Sequence, residues 1–230
     1  MKEKKTILVA MRKCPQLDTI VDALKSRNYN VLIAGTAKAV MIVLDARHPH
    51  LVLTALDLPG QDRPTLIKNL RKFYDASIIA LSESSEEGTI VAALDAGAND
   101  VLTLPFGRPE HLARIRAALR FGPNSGSIAS SGHFSAGGLT IDYGSRSVEV
   151  NHQPVHLTPI EFRILTLLTR SAGKVLTHEQ IINDVWGPYN SDNLVLRVNM
   201  ANIRRKIEPN PTEPKYIITE VGVGYRVISE

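Results

Sequence analysis

The chain has 230 residues, enough for one or two domains at about 150 residues each. Hydrophobic residues make up 43% and charged residues 22%, as in soluble globular proteins, and no apolar run reaches the roughly 18–20 residues of a membrane span. The apolar stretch behind the N-terminal lysines is too short for a signal peptide, so we expect a cytoplasmic protein without membrane contact. A single cysteine, Cys14, excludes an internal disulfide and a multi-cysteine zinc site.

A change in composition divides the chain. Residues 122–138 are rich in Gly and Ser and carry no Lys, Arg, Asp or Glu, and such a segment gains too little from burial to offset its ordering entropy. We therefore expect a domain at 1–121, a flexible linker at 122–138 and a second domain at 139–230. Residues 1–121 carry 17 Lys and Arg against 13 Asp and Glu, a net charge of +4, whereas residues 122–230 carry ten of each.

The first domain alternates short apolar runs with segments of helical spacing. This order predicts an α/β fold with a doubly wound parallel sheet, whose functional site lies beyond the carboxyl ends of the strands. The predicted strands are Ile7–Ala10, Val31–Ile33, Leu51–Leu53, Ile78–Leu81 and Val101–Leu104.

The second domain opens with alternating, half-buried strand patterns and continues with three helices. Two of these helices have capping-box starts, at Thr158 and Thr177. The third helix carries an apolar stripe and is followed by a hairpin around the glycine turn 221–224. Three helices followed by a hairpin predict a winged-helix (α+β) domain.

The third helix concentrates the cations of this otherwise neutral domain. Between Asp192 and Glu208 there are four cations and no acid, an arrangement suited to the DNA major groove, where Arg and Asn pair with the edges of G and A. We expect one exposed face to carry Arg197, Asn199, Asn202, Arg204, Arg205 and Lys206.

Five stretches of the second domain have a familiar sequence pattern: Val155–Phe162, Gly173–Thr177, Asp184–Gly187, Asn202–Ile207 and Gly222–Arg226. They resemble the effector domain of the OmpR/PhoB family of response regulators, in particular the regulators of potassium-uptake operons. Residues 5–121 are similar to a receiver domain, most visibly in Ala93–Ala98 and Pro105-Phe106.

The resemblance implies a dimer on double-stranded DNA, with direct-repeat half-sites, the third helix in the major groove and the wing in the adjacent minor groove. It assigns Arg197, Asn199, Asn202 and Arg204 to the recognition face, and Thr219 to a backbone contact near the wing. Some relatives carry an arginine in the wing at the place of Val221, so we expect the helix to supply more of the specificity. The loop 187–192 stands where relatives contact RNA polymerase, which implies that enzyme as a partner.

The receiver-like domain lacks the residues that the family uses for phosphoryl transfer. Two acids after the first strand hold Mg²⁺ in a working receiver, and here these positions are Met11 and Arg12. The phosphoacceptor Asp stands four residues before a proline, and counting back from Pro59 reaches Ala55. The conserved Lys is replaced by Leu104, and only the hydroxyl remains, as Ser82.

The dimer face of relatives spans the fourth helix, fifth strand and fifth helix, which corresponds to 90–119. Asp100 and Arg114 match one of the ion pairs in that interface, while Ile90 replaces a usual cation. We expect a permanent homodimer through this face.

The sequence thus predicts a DNA-binding transcriptional regulator that acts without phosphorylation, a pseudo-receiver with no cofactor, no metal and no enzymatic activity. Two alternatives remain open. One is a ligand sensor whose emptied pocket binds an anion through Arg12 and Lys13. The other is a phospho-switch with a displaced acceptor, Asp57.

Overall fold

The computed structural model describes residues 4–59, 63–72, 74–107, 109–119, 132–188 and 193–229. The chain forms two compact units, Met1–Asn124 and Ser125–Glu230. None of the helices in these ranges is long and apolar enough to cross a membrane.

The first unit confirms the predicted parallel α/β architecture. Its five strands form one parallel sheet in the order β2-β1-β3-β4-β5. The strands are β1 (Thr6–Ala10), β2 (Asn30–Ala34), β3 (Leu51–Ala55), β4 (Ser77–Ser82) and β5 (Asp100–Thr103). The helices between and after them are α1 (Pro15–Lys25), α2 (Ala37–Arg47), α3 (Arg63–Arg71), α4 (Glu87–Asp95) and α5 (Pro109–Leu119).

The inner strands β3 and β4 are buried along their whole length, because helices cover both faces of a doubly wound sheet. The edge strand β2 is covered less completely, with Ile33 half exposed. Because β1 and β3 pair in parallel, their carboxyl ends lie side by side, which places the residues after Ala10 next to those around Ala55.

The second unit is a winged helix preceded by a small antiparallel sheet. The sheet has the order β6-β7-β8-β9, with β6 (His133–Ala136), β7 (Leu139–Asp142), β8 (Ser147–Val150) and β9 (Gln153–Pro154). The helices are α6 (Pro159–Arg170), α7 (His178–Trp186) and α8 (Asn193–Ile207). The wing sheet has the order β10-β12-β11, with β10 (Leu176–Thr177), β11 (Ile217–Glu220) and β12 (Gly224–Val227).

The predicted linker 122–138 was too long at its C-terminal end. Residues 133–136 form β6, which pairs with β7 through a two-glycine turn with positive φ at Gly137 (+58°) and Gly138 (+101°). Paired backbone with a tight hairpin turn is ordered structure, although its composition is that of a linker. Residues 122–131 of the predicted linker lie outside the described residues.

The sequence signals for the helix starts are confirmed. Thr158 accepts a hydrogen bond from the backbone of Glu161, whose carboxylate accepts one from the backbone of Thr158 in return. The same reciprocal pair joins Thr177 and Gln180 at the start of α7. These boxes satisfy backbone donors that a helix start leaves unpaired, and so they fix where α6 and α7 begin.

The buried carboxylate of Glu208 connects the end of α8 to the wing. It accepts hydrogen bonds from the backbone N–H groups of Lys215, Tyr216 and Ile217 at 2.7–3.0 Å. Hydrogen bonds to an ionised group are among the stronger ones in proteins. Glu208 thus fixes the point at which β11 starts relative to the recognition helix.

Candidate functional site

The exposed face of α8 is a stripe of four residues at intervals of four. Asn193, Arg197, Ala201 and Arg205 are all exposed, whereas the opposite stripe, which includes Leu196, is buried. Successive residues of a helix are turned by about 100°, so an interval of four returns to the same face within about 40°. The stripe therefore presents two guanidinium groups on one side, with a small side chain between them.

Two of the predicted recognition residues are not on this face. Asn199 and Asn202 are buried, and Asn199 Nδ2 donates a hydrogen bond to the carbonyl oxygen of Val195 at 2.8 Å. Counted from Arg197, their positions are turned by about 200° and 140° around the helix axis. The prediction that both asparagines are exposed was wrong, because it followed residue type instead of helical angle.

Arg204 is half-buried and joins α8 to the wing. Its Nη2 donates hydrogen bonds to the carbonyl oxygen of Ile217 and to Thr219 Oγ1, both at 2.7 Å. Its guanidinium lies 5.7 Å from the ring centroid of Tyr225. Burial raises the pKa of the Tyr225 phenol, and the charges of Arg204 and Arg197 oppose this rise.

The structure therefore brings Arg204 and Thr219, two predicted DNA contacts, together in a hydrogen bond between α8 and β11. Lys206 is also engaged, since its Nζ lies 2.6 Å from a carboxylate oxygen of Glu161 on α6. Of the predicted cations of α8, Arg197 and Arg205 are the two that lie on the exposed stripe. Asn193 and Ala201 were missed by sequence reasoning, although the interval of four counted back from Arg205 would have found them.

The tip of the wing is apolar. Val221 and Val223 are 91% and 49% exposed, and Gly222 between them has a φ of +75°, a conformation suited to glycine. Behind the tip, Arg226 Nη2 lies 3.0 Å from the carboxylate of Glu220. The wing therefore presents two aliphatic side chains and one arginine that is already paired.

Hydrophobic side chains occupy the carboxyl edge of the first sheet at the positions that the family resemblance assigns to phosphoryl transfer. Ala55 ends β3 and Met11 follows β1, and each is only 4% exposed. Both belong to the core that also contains Phe106, and Leu104 packs against that core. Met11 Sδ additionally lies 3.7 Å from the thiol of Cys14.

The polar groups at this edge bind one another. Arg12 Nη2 lies 3.1 Å from a carboxylate oxygen of Asp57. Ser82 Oγ donates to the carbonyl oxygen of Ser84 and accepts from its backbone N–H. The thioether of Met11 and the guanidinium of Arg12 are not the hard oxygen ligands that Mg²⁺ prefers, so the two residues that the resemblance assigns to this ion do not fit it. Within the described ranges, no three His, Cys, Asp or Glu side chains form a metal-binding group.

The predicted interface pair is found inside one chain. Arg114 Nη1 lies 3.1 Å from Asp100 Oδ1, and Arg114 Nη2 lies 2.5 Å from Glu110. The side chain of Arg114 is 11% exposed and that of Asp100 is 4% exposed. The sequence spacing could not distinguish an ion pair within a subunit from one between subunits, and in this chain it joins β5 to α5.

Comparison with known proteins identifies both units. Residues 13–116 match the response regulator receiver domain, and residues 152–227 match the C-terminal domain of transcriptional regulatory proteins. The KDP operon transcriptional regulatory protein KdpE of Escherichia coli is 40% identical over 205 residues, covering 89% of this chain and 90% of the relative. The chain belongs to the OmpR/PhoB family of response regulators. It is a DNA-binding response-regulator transcription factor.

One further relative and one solved structure extend these comparisons. The transcriptional regulatory protein KdpE of Staphylococcus aureus is 40% identical over 207 residues, with 87% of each chain covered. A solved structure of a RitR mutant superposes with a TM-score of 0.78 over 98% of this chain and all of that chain, at 22% identity, which supports the fold alone.

Replacing Arg204 with alanine is expected to loosen the wing and destabilise the second unit by about 1–3 kcal/mol, because two hydrogen bonds from a charged donor are lost. The single tryptophan, Trp186, lies in α7, so its fluorescence during urea unfolding reports on this unit alone. Arg197→Ala, on the exposed stripe, is the matched control and should leave stability unchanged. Equal stability of the two variants would contradict the positioning role of Arg204.

Proposed function

We propose that this response regulator binds DNA as a dimer without phosphorylation of its receiver. The observation that supports the proposal most strongly is the apolar filling of the receiver pocket. Ala55 offers no nucleophile at the phosphoacceptor position, and Met11 and Leu104 close the space around it with hydrophobic side chains. Phosphoryl transfer depends on positioned charges and a metal ion, and these residues provide neither.

Phosphorylation regulates a receiver by shifting its conformational equilibrium toward the DNA-binding state. A chain that is not phosphorylated cannot have its equilibrium shifted in this way. With no acceptor in the pocket, the competent dimer has to be populated by the unmodified chain. We therefore propose that the activity of this protein is regulated by its concentration in the cell, or by a signal other than a phosphoryl group.

The exposed stripe of α8 enters the major groove in this proposal. Arg197 and Arg205 contact base edges or phosphates, and Ala201 between them allows the helix backbone to approach the groove closely. The apolar wing tip contributes contacts of Val221 instead of a cation. Arg204 and Thr219 hold the wing against α8, so their effect on binding is indirect.

Two half-sites in direct repeat fit a dimer formed through residues 90–119. The central ion pair of this face is satisfied within the subunit, so aliphatic side chains such as Ile90, which is half-buried on α4, supply the contact between subunits. RNA polymerase remains the expected partner of the loop 187–192, of which residues 189–192 lie outside the described residues.

The two alternatives have less support. Of the two cations of an anion site, Arg12 and Lys13, the first is paired with Asp57 at 3.1 Å, and the pocket beside them is lined by the apolar core residues Met11 and Ala55. Asp57 as a displaced phosphoacceptor would have to leave this ion pair. Its neighbours Met11 and Arg12 also lack the oxygen ligands that would bring Mg²⁺ to it.

Replacing Ile90 with glutamate should move the full-length protein from dimer to monomer, since a charge in an apolar interface is left desolvated and unpaired. Sedimentation of the unmodified chain at micromolar concentration measures the change. Binding to a tandem site should weaken more than binding to a single half-site, because linked half-sites gain from effective concentration. Ile42→Glu, the same change at an exposed position of α2 outside this face, is the control. A wild-type protein that sediments as a monomer would contradict the proposal.

A further inference from the structure

We infer that the amino edge of the receiver sheet is a second DNA-contacting surface, which binds phosphates beside the site that α8 reads. The inference rests on the DNA-binding activity of the family and extends the proposed function to a surface outside the winged helix. The basic edge is formed by the amino ends of β1 and β2 and the carboxyl ends of α1 and α5. Its cations are Lys4, Lys5, Lys25, Arg27 and Arg116.

The fold brings these five cations together from three chain segments. The backbone N–H of Asn30 donates to the carbonyl oxygen of Lys5 at 2.9 Å, which joins the start of β1 to the loop after α1. Arg27 lies in that loop, and Arg116 lies on the last turns of α5. Both guanidinium groups act on the phenol of Tyr29, where their charges partly oppose the rise in its pKa caused by burial.

The basic edge is accessible and is not balanced by acids. Lys4, Lys25, Arg27 and Arg116 are exposed, and Lys5 is half-buried. Although Arg116 falls within residues 90–119, it is turned by about 200° around α5 from Arg114, so it lies away from the side of α5 that pairs with β5 and toward Tyr29. The segments 4–6, 23–30 and 115–119 carry these five cations and no Asp or Glu. Three acids adjoin these segments: Glu3, which precedes Lys4 in the sequence and lies outside the described residues, Asp22 on α1, and Asp75 before β4, which stands two strands away from β1 in the sheet.

The distribution of charge over the chain favours DNA as the partner of this edge. The entire net charge of +4 lies in residues 1–121, whereas residues 122–230, which contain the winged helix, are neutral. A cluster of cations binds favourably to a polyanion such as DNA, because each neutralised phosphate releases condensed counterions. An acidic protein surface would fit the same charge, but this chain already holds DNA through its second unit.

The attachment of the two units raises the concentration of DNA near the basic edge. The chain leaves the first unit at the end of α5, which belongs to this edge, and residues 120–131 connect Leu119 to Gly132. Twelve residues span about 40 Å at full extension, and one turn of B-DNA is about 34 Å. Phosphates about one turn from the bound site are therefore within reach, and tethering makes even weak contacts to them effective.

The salt dependence of binding to duplex DNA measures this contact without knowledge of the target sequence, because the phosphate contribution is independent of sequence. The full-length variant Lys25→Glu/Arg27→Glu is compared with Lys13→Glu/Lys38→Glu, which has the same change in charge at exposed positions on the opposite edge of the sheet. The affinity decreases with salt, so log K plotted against log salt has a negative slope. We expect the magnitude of this slope on a 40-base-pair duplex to be smaller by about one to two for the first variant than for the wild type. The second should keep the slope of the wild type.

A 15-base-pair duplex, which leaves no flanking phosphates, should remove the difference between the two variants. Lys25→Gln/Arg27→Gln, which removes the charges without reversing them, should also reduce the magnitude of the salt slope, but by less than the charge-reversal variant. Equal slopes for both charge-reversal variants on the long duplex would overturn the inference. Should DNA binding require a phosphoryl donor, the proposed function fails, and the same comparison on donor-treated protein still decides the role of the basic edge.

Discussion

Replacing Ala55 with aspartate is expected to destabilise the first unit by about 3–5 kcal/mol instead of restoring a phosphoacceptor, because it leaves an uncompensated charge inside an apolar core. Ala55 is 4% exposed at the end of β3, within the core that includes Met11, Leu81 and Phe106. The nearby cation, Arg12, is already paired with Asp57 and is largely exposed to solvent.

Two probes isolate this effect during urea unfolding. Far-UV circular dichroism follows both units, whereas the fluorescence of Trp186 follows the second unit alone. Only the transition seen by circular dichroism should move in Ala55→Asp. Ala46→Asp, the same change at an exposed position of α2, should cost less than about 1 kcal/mol. An Ala55→Asp protein as stable as the wild type would show that the pocket still accommodates a carboxylate, which contradicts the account of an apolar core.

Removing both arginines of the exposed stripe should weaken DNA binding by about 2–6 kcal/mol, since each arginine contact to a base edge contributes about 1–3 kcal/mol. Arg197→Ala/Arg205→Ala deletes the two guanidinium groups that α8 presents on its exposed face. The helix should remain folded, because both side chains lie away from its buried stripe.

The matched control is Lys174→Ala/Lys215→Ala, which removes the same amount of charge at two exposed positions outside α8. We expect a loss of less than about 1 kcal/mol for this pair, measured as the affinity for the same duplex at fixed salt. A double arginine variant that binds as tightly as the control would place the DNA interface elsewhere on the second unit.

The parts of the fold that local chemistry determines could be predicted from the sequence. The alternation of apolar runs with helical spacing identified the five parallel strands, and the capping boxes at Thr158 and Thr177 located two helix starts. Strand β6 was missed, because four residues before a pair of glycines look like the remainder of a flexible segment. Its order comes from pairing with β7, which composition does not reveal.

The candidate site was predicted in outline, and the errors concern where side chains point. Residue type suggested that Asn199 and Asn202 face DNA, whereas both lie on the buried side of α8. Arg204 looks like a contact residue in the sequence, but its partners Ile217 and Thr219 come from a strand more than ten residues away. Partners that come together only through tertiary structure cannot be read from a single segment of sequence.

The most direct measurement of phosphorylation independence is treatment of the full-length protein with acetyl phosphate and Mg²⁺. Intact mass and DNA affinity are recorded on the same sample, beside Asp57→Asn treated in the same way. We predict no gain in mass corresponding to a phosphoryl group and an unchanged binding isotherm for both proteins, because Ala55, Met11 and Leu104 leave no site for the reaction. A stoichiometric, Mg²⁺-dependent adduct that is absent from Asp57→Asn and that tightens DNA binding would contradict the account.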